Sequence, residues 1–222
     1  MSTKKKKSSA APKMTAAEKK ELEKKQNRNM TIALIVVAVL AVALIGILLF
    51  GGKSSSKTQL RHIEIEIENY GTIKAELDPS VAPVTVENFV KLAESGFYDG
   101  LTFHRIISGF MIQGGDPNGN GTGGSSETIK GEFSANGVEN NLSHTRGVLS
   151  MARSSDYNSA SSQFFIMHAD STYLDGQYAA FGWVTEGMEI VDEICADTPV
   201  QDDNGTVLAA DQPVITTIRV LD

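Results

Sequence analysis

Residues 103–115 read Phe-His-Arg-Ile-Ile-Ser-Gly-Phe-Met-Ile-Gln-Gly-Gly, which sets one arginine and one glutamine among apolar side chains where burial alone calls for neither. The stretch reads as two short apolar strands about a Ser108-Gly109 turn. Alternation from Thr102 to Ile106 directs Arg105 to the opposite face from His104 and Ile106, while Phe110, Met111 and Gln113 can converge on it across the turn. The chemistry this offers is a fixed positive charge held beside an apolar pocket.

Other reactive residue types give less. His104 sits beside Arg105 as a candidate general base, yet alternation turns it to the other face, which is a structural position. The serines of 154–162 lack the GxSxG elbow of a hydrolase and read as loop residues. Gly119-x-Gly121-x-x-Gly124 matches the dinucleotide fingerprint in form, but 127–133 is short and strand-like where that site needs a helix. A single cysteine, Cys195, excludes an internal disulfide, and the four scattered histidines, His62, His104, His144 and His168, lack metal-ligand spacing. Neither a metal nor a cofactor is expected.

The elements that must position the site are mostly strands. Residues 62–68 alternate strictly between isoleucines and polar groups, a half-buried strand, and a turn at 69–71 leads into a second strand at 72–77. Pro83 opens a helix over 84–95, with Val86, Phe89, Val90 and Ala93 at helical spacing and Gly96 to end it. Further strands are expected at 148–152, 163–167, 180–184 and 214–221. A second helix is expected at 187–196 with Met188, Val191 and Ile194 on one side. Many short strands with two helices predict a mainly β fold, a closed antiparallel barrel without free edges.

Charge divides the chain. Residues 1–57 hold twelve Lys and Arg against three Asp and Glu, while the remainder holds eight against twenty-four, within a net charge of −7. So acidic a folded part repels phosphate, which excludes nucleic acid as a partner. Residues 1–29 read as a basic tail with a short helix from Thr15, where Thr15 and Glu18 form a capping box. Residues 30–50 carry no charge over about 21 residues, enough to span a hydrocarbon core of about 30 Å. A cleaved signal peptide is the competing reading, but the run is longer than its usual apolar region and no small-x-small site follows. Lysines and Arg28 crowd its N-terminal flank, so the tail is expected in the cytoplasm and the acidic domain outside a cell membrane crossed once. The small polar residues of 51–60 read as a flexible linker to a domain at 61–222.

The central stretch resembles the signature of the cyclophilin family of peptidyl-prolyl cis-trans isomerases. Gly-Val-Leu-Ser-Met-Ala at 147–152, Ser-Gln-Phe-Phe-Ile at 162–166 and Leu-Asp-Gly-Gln-Tyr-Ala-Ala-Phe-Gly at 174–182 are similar to its other blocks, in the same order. The likeness covers roughly residues 59–222 and implies an eight-stranded barrel capped by two helices, acting as a monomer. By match to the motif, Arg105, Gln113 and Phe110 would be catalytic: Arg105 would address the prolyl nitrogen and the neighbouring carbonyl, and Gln113 would support it. Phe110, Met111, Phe165 and Leu174 would line the proline pocket. Ala152, Arg153 and Gln163 would lie along the groove for residues before proline, with the Arg153 backbone as a hydrogen-bonding element. Tyr173 stands where tryptophan is common in the family and Tyr178 where histidine is common. Both remain in the substrate-binding set, and they imply weak binding of ciclosporin.

The function this implies is isomerisation of X-Pro bonds in exported or envelope polypeptides. The rival reading is a surface-displayed module that grips Pro-containing segments without turnover, against which the intact Arg105, Phe110 and Gln113 argue.

Overall fold

The computed structural model describes residues 59–222 throughout and, ahead of them, residues 16, 17, 19–21, 24–28 and 30. Contacts divide the chain into two units, Met1–Ser56 and Lys57–Asp222. In the first unit the described residues are helical, in keeping with the helix expected from Thr15. The expected membrane-spanning segment 30–50 lies outside the described residues apart from Met30, as does the linker 51–60 apart from Gln59 and Leu60. Among the described residues no helix is long and apolar enough to cross a membrane.

The second unit begins with the antiparallel hairpin of Arg61–Ile67 (β1) and Gly71–Leu77 (β2), in which Ile67 faces Gly71. Alternation buries Ile63, Ile65, Ile67, Ile73, Ala75 and Leu77, none more than 2% exposed. The tight turn requires Asn69 at φ 65, which a short polar side chain tolerates and a β-branched one does not.

Helix Pro83–Glu94 (α1) starts with proline in its first turn, where the missing N–H has no helical partner to lose. Its stripe Val86, Phe89, Val90 and Ala93 is buried, as the spacing requires. Phe89 meets the rings of Tyr98, Phe164 and Phe181 at centroid distances of 5.0, 5.2 and 5.2 Å. Truncating such a ring to alanine costs about 3–5 kcal/mol. The cap of α1 comes from far along the chain: buried Glu132 accepts from the N–H groups of Val84 at 3.1 Å and Thr85 at 2.8 Å and from the Thr85 hydroxyl at 2.7 Å. The same contact corrects the strand-like reading of 127–133. That segment makes only an isolated bridge, Ile129 to Ala160, because Glu132 is drawn inward to the positive end of α1 instead of entering a ladder.

The remaining strands are Thr102–Ile107 (β3), Met111–Asp116 (β4), Val148–Met151 (β5), Phe164–Met167 (β6), Ala180–Glu186 (β7) and Ile215–Val220 (β8). Met188–Asp197 (α2) buries Ile190, Val191 and Ile194; Met188 is only partly buried, and Ile190 takes the inward place expected for it. Helix α1 packs on β8 and α2 on β2.

The eight strands form one antiparallel sheet in the order β3-β4-β6-β5-β7-β2-β1-β8. The expected closed barrel is therefore corrected to an open, curled sheet. Its edges β3 and β8 meet only through the bridge of Thr102 with Val214 and a few flanking backbone bonds. Closure fails because another segment occupies the free edge of β3: Ile106 N–H donates to the Gly205 carbonyl at 2.8 Å, and Val207 N–H to the His104 carbonyl at 3.1 Å. Pro213, which has no N–H to give, precedes β8.

Candidate active site

The site is built on a row across four strands. Arg105 on β3 faces Gln113 on β4, Gln113 faces Phe165 on β6, and Phe165 faces Ser150 on β5. Residues in register share a face, so one arginine, one amide and one ring emerge side by side.

Simple alternation does not account for this. The β3–β4 register shifts between Phe103 and Arg105, so that Phe103 faces Gly114 and the next pair is Arg105 with Gln113. With His104 as the extra residue of the bulge, Phe103 and Ile106 both enter the core, at 0% and 1% exposure, and Arg105 is left on the outer face. Gly114 is required opposite Phe103, since a Cβ there would lie 2.9 Å from its ring and 2.7 Å from the Thr102 carbonyl. His104 is buried with both ring nitrogens unpartnered, and burial pulls its pKa down. It borders a cleft beside the site and not the central cavity.

Arg105 is fixed on both sides. Its Nε donates to the Asn204 backbone carbonyl at 2.8 Å, Nη2 to the Asn204 side-chain oxygen at 3.2 Å, and Nη1 to Oε1 of Gln113 at 3.2 Å. Gln113 is held in turn, its Nε2 donating to Oε1 of Gln163 at 2.9 Å, and Gln163 donates to the carbonyls of Gly121 at 3.1 Å and Gly123 at 2.7 Å. Each amide has its orientation set by its neighbour. Burial lowers the guanidinium pKa, yet it remains charged at neutral pH.

Arg105, Phe110, Met111, Gln113, Ala152, Arg153, Phe165, Leu174 and Tyr178 line a cavity of ≈ 240 Å³. Met111 and Phe165 are its most buried lining residues, at 1% and 5% exposure. Gln163 borders the adjoining cleft of ≈ 430 Å³, which Ala152 and Arg153 share with glycines 121, 123 and 124. Tyr173 stands apart from both: it is 66% exposed and stacks on the outer side of Phe110, with ring centroids 6.1 Å apart. The structure thus brings nine of the eleven expected residues to one cavity, places Gln163 next door, and leaves Tyr173 on the rim.

Two parts of the site escape sequence reasoning. Asn204 carries no catalytic signature; Asp202-Asp203-Asn204-Gly205 signals a turn, but nothing local says that the turn lies against β3. A Cβ on Gly205 would come within 2.2 Å of the Ile106 carbonyl, so this close approach needs glycine. The Arg153 side chain lies over the rings of Phe133, Tyr157 and Tyr178 at 5.2, 4.8 and 4.7 Å, and its Nε and Nη2 both donate to the Gln177 carbonyl. The glycine loop beyond β4 wraps a carboxylate of its own: buried Asp116 accepts from the N–H groups of Asn118, Asn120 and Gly121. Burial raises the Asp116 pKa, but these backbone bonds outweigh it and keep the group ionised. Among the described residues no cluster of three or more His, Cys, Asp or Glu could hold a metal ion.

The comparisons agree with this geometry. The family model described as cyclophilin type peptidyl-prolyl cis-trans isomerase/CLD matches residues 62–220. Peptidyl-prolyl cis-trans isomerase B of Bacillus subtilis is 50% identical over 123 residues, which are 55% of this chain and 82% of that protein. A peptidyl-prolyl cis-trans isomerase of Arabidopsis thaliana is 48% identical over 125 residues, 56% of this chain and 76% of that one. The crystal structure of a cyclophilin type peptidyl-prolyl cis-trans isomerase from Cryptosporidium parvum, solved in the presence of the dipeptide Ala-Pro, superposes with a TM-score of 0.64 at 35% identity, covering 72% of this chain and 99% of that chain. The chain belongs to the cyclophilin family. It is a peptidyl-prolyl cis-trans isomerase, and the family acts on proline-containing polypeptides.

That reaction asks little covalent chemistry of a protein. Rotation about a peptide bond costs about 18–20 kcal/mol because the nitrogen lone pair is delocalised into the carbonyl, whereas the X-Pro isomers differ by only about 0.5–1 kcal/mol. A catalyst must hold the ring, let the preceding carbonyl swing, and favour the nitrogen once conjugation is lost. No proton is transferred and no nucleophile is needed.

Proposed function

We propose that the chain accelerates X-Pro isomerisation in exported or envelope polypeptides, as a monomer tethered to the cell membrane through residues 30–50, with residues 1–29 in the cytoplasm and 58–222 outside. Arg105 is the catalytic cation, directed at the prolyl nitrogen as its lone pair returns, and Gln113 orients it. Phe110, Met111, Phe165 and Leu174 hold the proline ring. Ala152, Arg153 and Gln163 receive the residues before proline, and Tyr173 and Tyr178 border the groove.

The observation that carries the catalytic reading is the Arg105 fork, held between Asn204 and Gln113 at the edge of the apolar cavity. A charge fixed before the reaction stabilises the transition state without reorganising. Support for the tether is the uncharged stretch 30–50 with lysines and Arg28 crowding its N-terminal flank.

Two measurements test the reading. A protease-coupled proline assay on the fragment 58–222 should show turnover that is lost in Arg105→Ala; binding of Pro peptides without turnover would favour the module that only grips. Protease added to intact, wall-stripped cells should digest the domain. Its complete protection, alongside degradation of a known surface protein, would reverse the orientation.

A further inference from the structure

His168 follows β6, outside the catalytic cavity, and its ring is bonded at both nitrogens. The N–H of Gly109, in the turn that joins β3 to β4, donates to Nδ1 at 2.8 Å. On the other side Nε2 lies 3.0 Å from Oδ1 of Asp192 on α2. These partners dictate the tautomer. A backbone N–H can only donate, so Nδ1 carries the lone pair; a carboxylate can only accept, so Nε2 carries the proton. Asp192 is held as the carboxylate by the hydrogen bond from Arg146, whose Nη2 donates to Oδ2 at 2.8 Å. Only a neutral imidazole serves both contacts.

What His168 holds is the turn that presents Phe110. The Phe110 N–H closes the turn on the Ile107 carbonyl at 2.9 Å, with Gly109 at φ 77, and Phe110 then enters the proline cavity. The N–H groups of His168 and Ala169 also donate to the Phe110 carbonyl, at 2.9 and 3.3 Å. The Phe110 end of the turn is therefore fixed by backbone, and its apex, Gly109, by the imidazole. Without an acceptor at the Nδ1 position the Gly109 N–H loses this partner and the apex is released. The charged groups around the ring are Asp192 and Arg146, with Asp170 bonded to the Arg146 N–H and the Cys195 thiol close to the same pair. The turn residues Ser108, Gly109 and Phe110 bring no charge.

We propose that His168 is a positioning residue of the isomerase: by accepting from the Gly109 N–H its imidazole fixes the apex of the turn, and with it the side chain that the turn presents to the proline pocket, Phe110. The inference rests on the isomerase assignment and adds a positioning residue to the same site.

The test is kcat and KM for a short Pro peptide, measured on the purified full chain by NMR exchange, which needs no coupling protease. His168→Ala removes the acceptor for the Gly109 N–H and should lower kcat/KM by about two- to tenfold, the scale of one hydrogen bond, mainly through a higher KM. His168→Asn supplies a carbonyl oxygen in place of Nδ1 and should recover most of that loss. The Gly109 amide shift should move in His168→Ala and return in His168→Asn, in protein that stays folded by its melting curve. An unchanged KM in folded His168→Ala, or an equal loss in both variants, overturns the proposal. Absence of turnover in the wild type would count against the isomerase assignment instead, and the Gly109 shift would still decide the latch.

Discussion

Asn204 grips Arg105 at two points, its backbone carbonyl accepting from Nε at 2.8 Å and its side-chain oxygen from Nη2 at 3.2 Å, across 99 residues of sequence. The backbone contact survives any side-chain change, so Asn204→Ala removes only the bond to Nη2. Expected is a fall in kcat/KM of about two- to tenfold, the scale of one hydrogen bond to a charged group, with the melting temperature little altered. An unchanged rate would mean that Gln113 and the backbone contact suffice to aim the fork.

Arg105 itself carries more. In the proposed mechanism its charge is worth more when the prolyl nitrogen regains its lone pair than in the planar ground state, and so lowers the barrier selectively. Arg105→Ala should reduce kcat/KM by about 10² to 10³, and Arg105→Lys should recover only part, because an ammonium cannot bond Asn204 and Gln113 together as the planar fork does. Wild-type turnover in Arg105→Ala with an unchanged melting curve would sink the mechanism.

Tyr173 is the residue expected to set how well a large cyclic peptide is held. Its ring lies 66% exposed against Phe110, leaving room on the rim for a larger ring. Tyr173→Trp adds apolar area and an indole donor, and should tighten ciclosporin by about 1–2 kcal/mol with little change in turnover. Unchanged affinity in a titration of the folded variant would exclude Tyr173 as a determinant of ciclosporin binding.

Stability should fall in mild acid. His144 is fully buried, its Nδ1 2.8 Å from Asp175 and its Nε2 2.9 Å from the Ser150 hydroxyl. Burial pulls its pKa below the ordinary value, with Asp175 opposing, and burial does the same to His104. The unfolded chain therefore takes up protons that the folded one refuses. The contribution is complete above the unfolded value of about 6.5 and is lost as pH drops through it toward the lower folded values. Exposed His62 shifts the opposite way, through its bond with Asp222, so the difference between variants is the cleaner measure. The urea midpoint of 58–222 should drop from pH 7.5 to pH 5, and the slope should shrink in His144→Gln even though that variant is less stable overall. An equal slope in both would exclude His144 as a source.

Sequence periodicity determined what depends on near neighbours. Strand β1 and the buried stripe of α1 are legible because a side chain's face repeats every two residues in a strand and about every 3.6 in a helix. The apolar pocket with its arginine and glutamine is legible for the same reason, and the ordered motifs supplied the rest of its lining. Strict alternation gives the outward face of Arg105 but not the whole of the local geometry. It sends Phe103 to that face as well, whereas the shift at His104 buries Phe103 beside Ile106. A bulge is one residue inserted to satisfy packing on the far side of the sheet, and no short-range pattern records that demand. The cap on α1 from Glu132, the support of Arg105 by Asn204 and the failure of β3 and β8 to zip together are likewise relations across tens of residues. Only the tertiary structure decided them, because each depends on which segment reaches a free backbone edge or an unpaired charge once the core has closed.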